Sequence, residues 1–368
     1  MLRFADILRE HWACYVERAT GPIPARHWRA VEAVLSCRTP RRGGHVQHCA
    51  QCQRDHYFLH SCNHRSCPRC GSRAQAEWAA RQEARLLPVT YYLITITVPD
   101  PLRRLLASYP RELYPLFFEE SAQALKELCH NPRHLGGEPG FIAVLHTWTR
   151  RMLHHPHLHL LVPALGVTNG GCALVHPPNE DYFIPERALA RRLRARFAAG
   201  LRKEHPQLAD KIDLSSASQE WVVQCKAAGR GKSALRYLAA YVKKSAFSEA
   251  RLAGYDCKSR RLLLRYKDSS DNQWKSETLD ALELIRRWLL HVLPKGLVGV
   301  RHYGWLSPAA GQVLRRIRFL LGLGPARVRT LAKLALTCPC CQGPLTLLHR
   351  IPPVRGPPLS RFVQLHAA

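Results

Sequence analysis

The sequence predicts an α+β protein in which a small zinc-binding domain precedes a larger domain built on an antiparallel sheet, and a helical carboxy-terminal region follows. Six of the 14 cysteines lie between Cys37 and Cys70, a clustering typical of metal ligands rather than disulfides in a chain of this size. Beyond them, short β-branched segments alternate with longer amphipathic ones. The predicted domains are residues 1–88, 89–250 and 251–368.

Charge and composition restrict the class of function. The 368 residues include 55 Lys and Arg against 27 Asp and Glu, which leaves a net charge of +28, and 46% of them are hydrophobic. This hydrophobic fraction excludes a disordered chain. No apolar segment is long enough to span a membrane, and the start MLRFADILRE does not resemble a secretory leader. We expect a soluble, cytoplasmic and nucleoid-associated protein of a prokaryote, whose positive charge binds nucleic acid.

The periodicity of apolar residues gives the order of elements. The segments FIAVLHTW and HLHLLV are separated by a basic turn and predict an antiparallel pair of strands. The predicted strands are 91–98, 141–148, 157–162, 220–225, 261–268 and a stretch around Trp274. The predicted helices are two within 1–35, then 72–87, further helices to about Cys129, 186–203, 234–244, 279–293, 308–323 and a short helix before Cys338.

Two C-x2-C motifs, Cys49-Ala-Gln-Cys52 and Cys67-Pro-Arg-Cys70, predict a zinc site. Each motif forms a turn that presents two sulfurs to one ion, so two turns complete a tetrahedral tetrathiolate site. Such a closed site is structural rather than catalytic, and it stabilises a domain that has few apolar residues of its own.

Further cysteines and histidines leave two alternatives open. A second zinc ion is one, and free buried thiols with surface imidazoles are the other; the candidate ligands are Cys37, His45, His48, Cys62 and His64. Near the carboxy terminus, Cys338-Pro-Cys-Cys341 repeats the C-x2-C spacing, with His349 as an additional candidate. This motif either completes a site with residues from elsewhere in the chain or forms a turn of free thiols.

Two pairs of residues have the spacing of a catalytic site. His157 and His159 are two apart on a predicted strand, so both imidazoles leave the same face and can share a metal ion. Tyr237 and Tyr241 are four apart on a predicted helix and lie on one face. Surface histidines and core tyrosines are the structural alternatives. Combined with the positive charge, the tyrosines are better interpreted as nucleophiles that attack a phosphodiester.

At these residues the sequence resembles the two-tyrosine HUH endonucleases, specifically the rolling-circle insertion-sequence transposases with an amino-terminal zinc-binding domain. The departures are Ala164 and Leu165 where the family often has Gly, Ala240 in place of Arg, and Ser66 in place of His. The segments that carry the resemblance are CRTPRRGGHVQHCAQC, SCNHRSCPRC, LHTW before HPHLHLLVP, EWVVQCK, RYLAAYVKKSAFS and LIRRWLLHVLPKGLVGVRHYGWLSP.

The resemblance implies an HUH fold and metal-dependent cleavage and rejoining of single-stranded DNA. Tyr237 and Tyr241 would be the nucleophiles and form a 5′-phosphotyrosine intermediate, and His157 and His159 would bind Mg²⁺ or Mn²⁺. A third metal ligand is expected, and His146 on the preceding strand is the candidate.

Gln224 is a weaker candidate for the third metal ligand. Self-association of the protein is a further expectation. Candidate DNA contacts are Lys226, Lys232, Lys243, Lys244, Arg65 and Arg69. Two other functions remain open, namely a zinc-dependent DNA-binding regulator without catalysis and a replication initiator or relaxase with the same chemistry.

We predict that DNA binding depends strongly on salt, because Lys and Arg contacts with phosphates release counterions. Raising the salt from low to physiological concentration should weaken binding on the order of 100-fold or more. Fluorescence anisotropy with a labelled single-stranded oligonucleotide measures this effect. An affinity that barely changes over the same interval would contradict the inference from charge.

Overall fold

The computed structural model describes residues 2–179, 183–212, 221–242, 244–328 and 336–358. It is a mixed α/β structure in which all paired strands are antiparallel. The helices are α1 Phe4–Glu17, α2 Ala25–Leu35, α3 Ser72–Glu83, α4 Asp100–Ser108, α5 Pro110–His130, α6 Glu186–Glu204, α7 Pro206–Ala209, α8 Lys232–Ala239, α9 Ala281–Leu289 and α10 Gly311–Leu320. The strands are β1 Gly44–Cys49, β2 Arg54–Leu59, β3 Tyr91–Thr97, β4 Glu138–Pro139, β5 Phe141–Trp148, β6 His154–Pro163, β7 Gly166–Thr168, β8 Ala173–Val175, β9 Val222–Ala227, β10 Leu252–Asp256, β11 Arg261–Lys267, β12 Trp274–Asp280, β13 Val300–Tyr303 and β14 Leu345–Ile351.

A central five-stranded sheet, in the order β13-β5-β6-β3-β9, carries the candidate site. Side chains alternate between its two faces. On β6, Leu158, Leu160 and Val162 point into a core that is completed by α4, α5 and α6. Leu161 points to the opposite face, where it joins a second core with residues of α8 and α10. Helices therefore cover both faces of the sheet.

The carboxy-terminal strand belongs to the amino-terminal sheet. β14 pairs with β1 from Gly44 opposite Ile351 to Cys49 opposite Leu345, and β2 pairs with the other edge of β1. A three-stranded sheet of order β14-β1-β2 results. Residues 345–351 thus complete a sheet whose other strands lie about 300 positions earlier in the chain.

The amino-terminal helices share a core with later parts of the chain. Phe4 on α1 meets Phe247 and Trp288 edge to face, with ring centroids 5.1 and 5.0 Å apart. Apolar residues of α2, α9 and the meander β10-β11-β12 complete this core. Residues of the predicted third region, 251–368, therefore contribute to three units: the meander and α9 to this core, β13 to the central sheet, and β14 to the amino-terminal sheet.

The structure confirms most predicted elements and adds others. The antiparallel pair of strands at 141–148 and 157–162 is present as β5 and β6. Helix α8 ends at Ala239 instead of residue 244. The strands β1, β2, β4, β7, β8, β10, β13 and β14 were not predicted. Most of the short helix predicted before Cys338 lies outside the described residues. Within the part of the chain that the structure describes, every helix is too short or too polar to span a lipid bilayer.

Candidate active site and cysteine clusters

Three histidines converge on one face of the central sheet. The register of β5 and β6 sets His146 opposite His157, and His159 follows two residues later on the same face. One nitrogen of each imidazole lies within 4.8 Å of the corresponding nitrogens of the others. Nδ1 of His146 and Nε2 of His157 are 2.9 Å apart. All three side chains are buried. The structure thus brings together the predicted pair and the candidate third ligand.

Neighbouring groups orient these rings and leave nitrogens that have no partner. Nδ1 of His157 donates to the carbonyl oxygen of His155 at 2.8 Å, and Nδ1 of His159 lies 3.0 Å from Oγ1 of Thr95 on β3. Nε2 of His146 and Nε2 of His159 are buried without a hydrogen-bond partner among the described residues. Buried polar atoms are rarely left unsatisfied. The donor set therefore fits a bound metal ion, with ring orientation fixed by outer hydrogen bonds.

Burial keeps the imidazoles neutral. It lowers the pKa of His157 to about 4 and that of His159 to about 3. The pKa of His146 falls well below its usual value through burial and the neighbouring imidazoles. At neutral pH each ring therefore has one nitrogen lone pair, which is the form that binds a metal.

The two tyrosines border this histidine cluster. Tyr237 lies on α8 and Tyr241 in the turn that follows it. The Tyr237 ring centroid is 5.5 Å from that of His159, and the Tyr241 ring centroid is 3.9 Å from that of His146. The two phenol rings are 5.0 Å apart. Tyr237 is 44% exposed, so one phenol faces solvent while the other is half-buried against the histidines.

A glycine determines how closely α8 approaches the sheet. Gly231 precedes the helix with a φ of 76°, and a Cβ there would meet the Tyr91 ring at 2.7 Å. A side chain at this position would clash and be strained. Leu235 and Leu238 are fully buried on the sheet side of the helix. Contact of Gly231 with β3 and packing of α8 against β6 thus hold the phenols over the histidines.

The environment makes the Tyr241 phenol a weaker acid than an exposed tyrosine. Burial raises its pKa, and the hydrogen bond with Tyr237 adds to this effect. The phenol is therefore protonated at neutral pH, and it must lose its proton to become a nucleophile.

The remaining candidates occupy different positions. Gln224 is exposed on β9 opposite Thr95, which is itself opposite His159, so Gln224 lies on the histidine face of the sheet, one strand beyond β3. Lys226 on β9, Lys232 at the start of α8 and Lys244 beyond it are exposed. Lys243 lies outside the described residues. The exposed lysines therefore surround the tyrosine-bearing helix at its start, its end and the adjacent strand.

The two arginines among the candidate DNA contacts have partners within the protein. The Arg65 guanidinium donates to the carbonyl oxygens of Leu297 and Pro294 at 2.9 and 2.8 Å. Arg69 forms an ion pair with Glu249 at 3.4 Å. Both side chains are half-buried. Each guanidinium is engaged where the zinc-binding domain packs against the later parts of the chain, and contact of these arginines with DNA stays a prediction.

The first cysteine cluster consists of Cys37, Cys62, Cys67 and Cys70, whose sulfurs all lie within 4.8 Å of one another. Sγ of Cys70 is 3.6 Å from that of Cys37 and 3.7 Å from that of Cys62. Trp288 on α9 donates to the carbonyl oxygen of Ser66 at 2.8 Å, next to the cluster. This cluster therefore sits where the amino-terminal domain meets the shared core.

The second cluster joins the two ends of the chain. It contains Cys49, Cys52, Cys338 and Cys341, again with all sulfurs within 4.8 Å. The prediction that Cys49 and Cys52 share an ion with Cys67 and Cys70 therefore disagrees with the structure. Pairing of β14 with β1 brings the carboxy-terminal motif beside the Cys49 turn. The common C-x2-C spacing was the signal in the sequence, but it does not identify which motifs pair.

The other candidate zinc ligands lie outside both clusters. His45 contacts His60, with Nδ1 and Nε2 3.3 Å apart. Nδ1 of His64 accepts a hydrogen bond from the backbone of Ser66 at 3.2 Å. His349 is exposed on β14. Thiolates alone therefore form the two four-membered clusters found among the described residues.

Comparison with known proteins agrees with these features. Residues 140–312 match the family described as putative transposase, and residues 7–98 match the transposase zinc-binding domain. A putative transposase y4qJ of Sinorhizobium fredii is 34% identical over 96% of both chains. The transposase for insertion sequence element IS801 of Pseudomonas savastanoi is 28% identical over 83% of this chain and 76% of its own. No solved structure matches the chain significantly.

These matches define the class as a transposase with an amino-terminal zinc-binding domain, which is a DNA-processing enzyme. The chain belongs to the IS91 family of insertion-sequence transposases. Its zinc-binding domain and cysteine clusters support structural zinc.

The buried histidines predict a loss of stability in acid. His157 and His159 are neutral when folded, with pKa values of about 4 and about 3, but titrate at 6.5 when unfolded. Their contribution to the free energy of unfolding is complete above pH 6.5 and is lost as the pH falls toward about 4. Over this interval each histidine lowers the free energy of unfolding by up to ~1.4 kcal/mol per pH unit.

Urea denaturation without added Mg²⁺ or Mn²⁺ should show this decline, and the double variant His157→Asn, His159→Asn should show a shallower one. The variant is the control for carboxylates and thiolates that titrate elsewhere. Equal slopes for both proteins would contradict the assignment.

Proposed function

We propose that this transposase uses HUH chemistry, in which it cleaves single-stranded DNA through a 5′-phosphotyrosine intermediate and rejoins it during rolling-circle transposition. The observation that carries the proposal is the contact of Tyr237 and Tyr241 with the cluster of His146, His157 and His159. The pattern combines a nucleophile with a metal-binding group on one face of an antiparallel sheet. Family membership supplies the DNA substrate.

The proposed step is a transesterification. The phenol oxygen forms a bond to phosphorus while the bond from phosphorus to the 3′ oxygen of the preceding nucleotide breaks. The phenol proton leaves, and the 3′ oxygen takes up a proton, so the products are a 5′-phosphotyrosine and a free 3′ hydroxyl. Because the phosphoester bond is conserved on the enzyme, a 3′ hydroxyl of a target strand can reverse the step and join the DNA without another energy source.

His146, His157 and His159 would hold the divalent ion, for which the resemblance indicates Mg²⁺ or Mn²⁺. When bound, this ion polarises the phosphate and stabilises the charge of the leaving oxygen. The orphaned Nε2 atoms of His146 and His159 support its presence. The protein itself orients the rings through Thr95 and the His155 carbonyl oxygen.

Two features suit an unpaired DNA strand. Exposed Lys226, Lys232 and Lys244 lie around the tyrosine-bearing helix, where they would neutralise phosphates. Trp148 packs edge-on against His146 at a centroid distance of 4.5 Å and is partly exposed, so it offers a stacking surface for a base. Two adjacent phenols would hold two DNA ends in succession.

A regulator that binds DNA without cleaving it would not need a phenol beside orphaned imidazole nitrogens. A replication initiator or relaxase would use the same chemistry on other DNA. Membership of a transposase family favours transposition over both.

We predict that the double variant Tyr237→Phe, Tyr241→Phe folds and binds DNA but forms no covalent adduct, since each change removes the phenol oxygen and keeps the ring. At least one single variant should still cleave an oligonucleotide from an element end while failing to complete transposition. Denaturing gels with labelled DNA and Mn²⁺ measure adduct formation.

Tyr266→Phe is the matched control, because this tyrosine lies on β11 in the separate meander. It should form the adduct as the wild type does. Protein-linked 5′ DNA from the double variant would refute the proposed nucleophiles.

A further inference from the structure

The carboxy-terminal motif Cys338-Pro-Cys-Cys341 contacts the amino-terminal motif Cys49-Ala-Gln-Cys52. Sγ of Cys341 is 3.4 Å from Sγ of Cys49, and Sγ of Cys338 is 3.5 Å from Sγ of Cys52. A disulfide requires about 2.05 Å, so these are contacts between free sulfurs. Four thiols from two turns converge on one point although the turns are separated by about 290 residues.

The spacing of the sulfurs fits a tetrahedral ion. Zinc–sulfur bonds of about 2.3 Å place neighbouring sulfurs of a tetrahedron about 3.8 Å apart. Two of the pairs lie at 3.4 and 3.5 Å, and all pairs lie within 4.8 Å, so these distances are compatible with this value. Four converging thiolates without a cation would repel one another, so a soft divalent cation is the group that this arrangement stabilises.

The residue that follows each turn has a positive φ. Gln53 follows Cys52 with a φ of 53°, and Gln342 follows Cys341 with a φ of 62°. Non-glycine residues adopt this left-handed conformation rarely, and they retain it where surrounding interactions require it. Gly71 has a φ of 100° after Cys70 of the first cluster. Each of these three cysteine turns is therefore followed by a residue in the left-handed conformation.

We propose that Cys49, Cys52, Cys338 and Cys341 form a second tetrathiolate zinc site that fastens the carboxy-terminal strand β14 to the amino-terminal sheet. The zinc-binding domain matched by comparison covers residues 7–98, so it contains all of the first cluster but only half of this one. The site is independent of the histidine cluster and of DNA cleavage.

The proposed site has a structural consequence. An ion that links residues this far apart closes a very long loop, and this reduces the conformational entropy of the unfolded chain. The free energy of zinc binding would then stabilise the pairing of β14 with β1. Loss of this ion would release residues 336–358 from the sheet while the first cluster keeps its zinc.

An alternative donor set lies beside the site. His56, Cys338 and Cys340 also place possible ligand atoms within 4.8 Å of one another, and Nε2 of His56 is 3.2 Å from Sγ of Cys338. Cys340 is exposed, whereas Cys338 is fully buried. In the proposed site, His56 donates a hydrogen bond to the Cys338 thiolate instead of binding the ion. Cys341 belongs only to the proposed site and Cys340 only to the alternative set. Variants of these two residues therefore distinguish the two sets.

The experiment measures zinc per chain by inductively coupled plasma mass spectrometry in purified full-length protein that carries His157→Asn and His159→Asn, so that the histidine cluster contributes no zinc. With all cysteines intact, this parent protein should contain two zinc ions, one for each cysteine cluster. Cys341→Ser should contain one ion, and the matched control Cys340→Ser should keep both. Cys341→His should keep both as well, because imidazole can replace a thiolate ligand of zinc. Cys67→Ser should lose the ion of the first cluster.

Limited proteolysis provides a second readout that applies to the folded fraction. Cys341→Ser should be cut within residues 336–358 faster than Cys340→Ser, while fragments of the central domain accumulate equally. Two zinc ions in Cys341→Ser, or a loss of zinc in Cys340→Ser, would overturn the proposed ligand set. Only one zinc ion in the parent protein with intact cysteines would overturn the second site.

Discussion

The pairing register of β5 and β6 determines the candidate active site. A shift by one residue would turn His157 and His159 to the opposite face and bring Leu158 and Leu160 out of the core. The apolar side chains that stabilise the sheet thus also select the face on which the histidines meet. The energy of core packing, spread over many residues, therefore holds the three imidazoles close together.

A second constraint is the contact between the amino-terminal domain and later parts of the chain. The first cysteine cluster anchors the amino-terminal domain to the core that contains Trp288, and Arg65 extends this contact to the segment before β13. β13 then forms the edge of the central sheet next to β5. The zinc-binding domain is therefore positioned relative to the histidines through a short series of direct contacts, and it is not an independent module on a linker.

Local patterns in the sequence were sufficient for much of the site. The alternation on β6 and the four-residue spacing of the tyrosines depend only on neighbours in the chain, and strand order suggested His146. Long-range partners could not be predicted in this way. The C-x2-C spacing describes a turn, but nothing in it states that Cys49 pairs with Cys341. Positive charge likewise did not reveal that Arg69 is paired with Glu249.

The central claim is that Tyr237 or Tyr241 carries the DNA. Its most direct test is mass spectrometry of the wild-type protein after reaction with single-stranded DNA from an element end and Mn²⁺, followed by nuclease and trypsin digestion. We expect a 5′-nucleotide phosphate on the tryptic peptide that begins at Tyr237 and ends at Lys243. A nucleotide on any other residue, or DNA cleavage without a protein adduct, would contradict it.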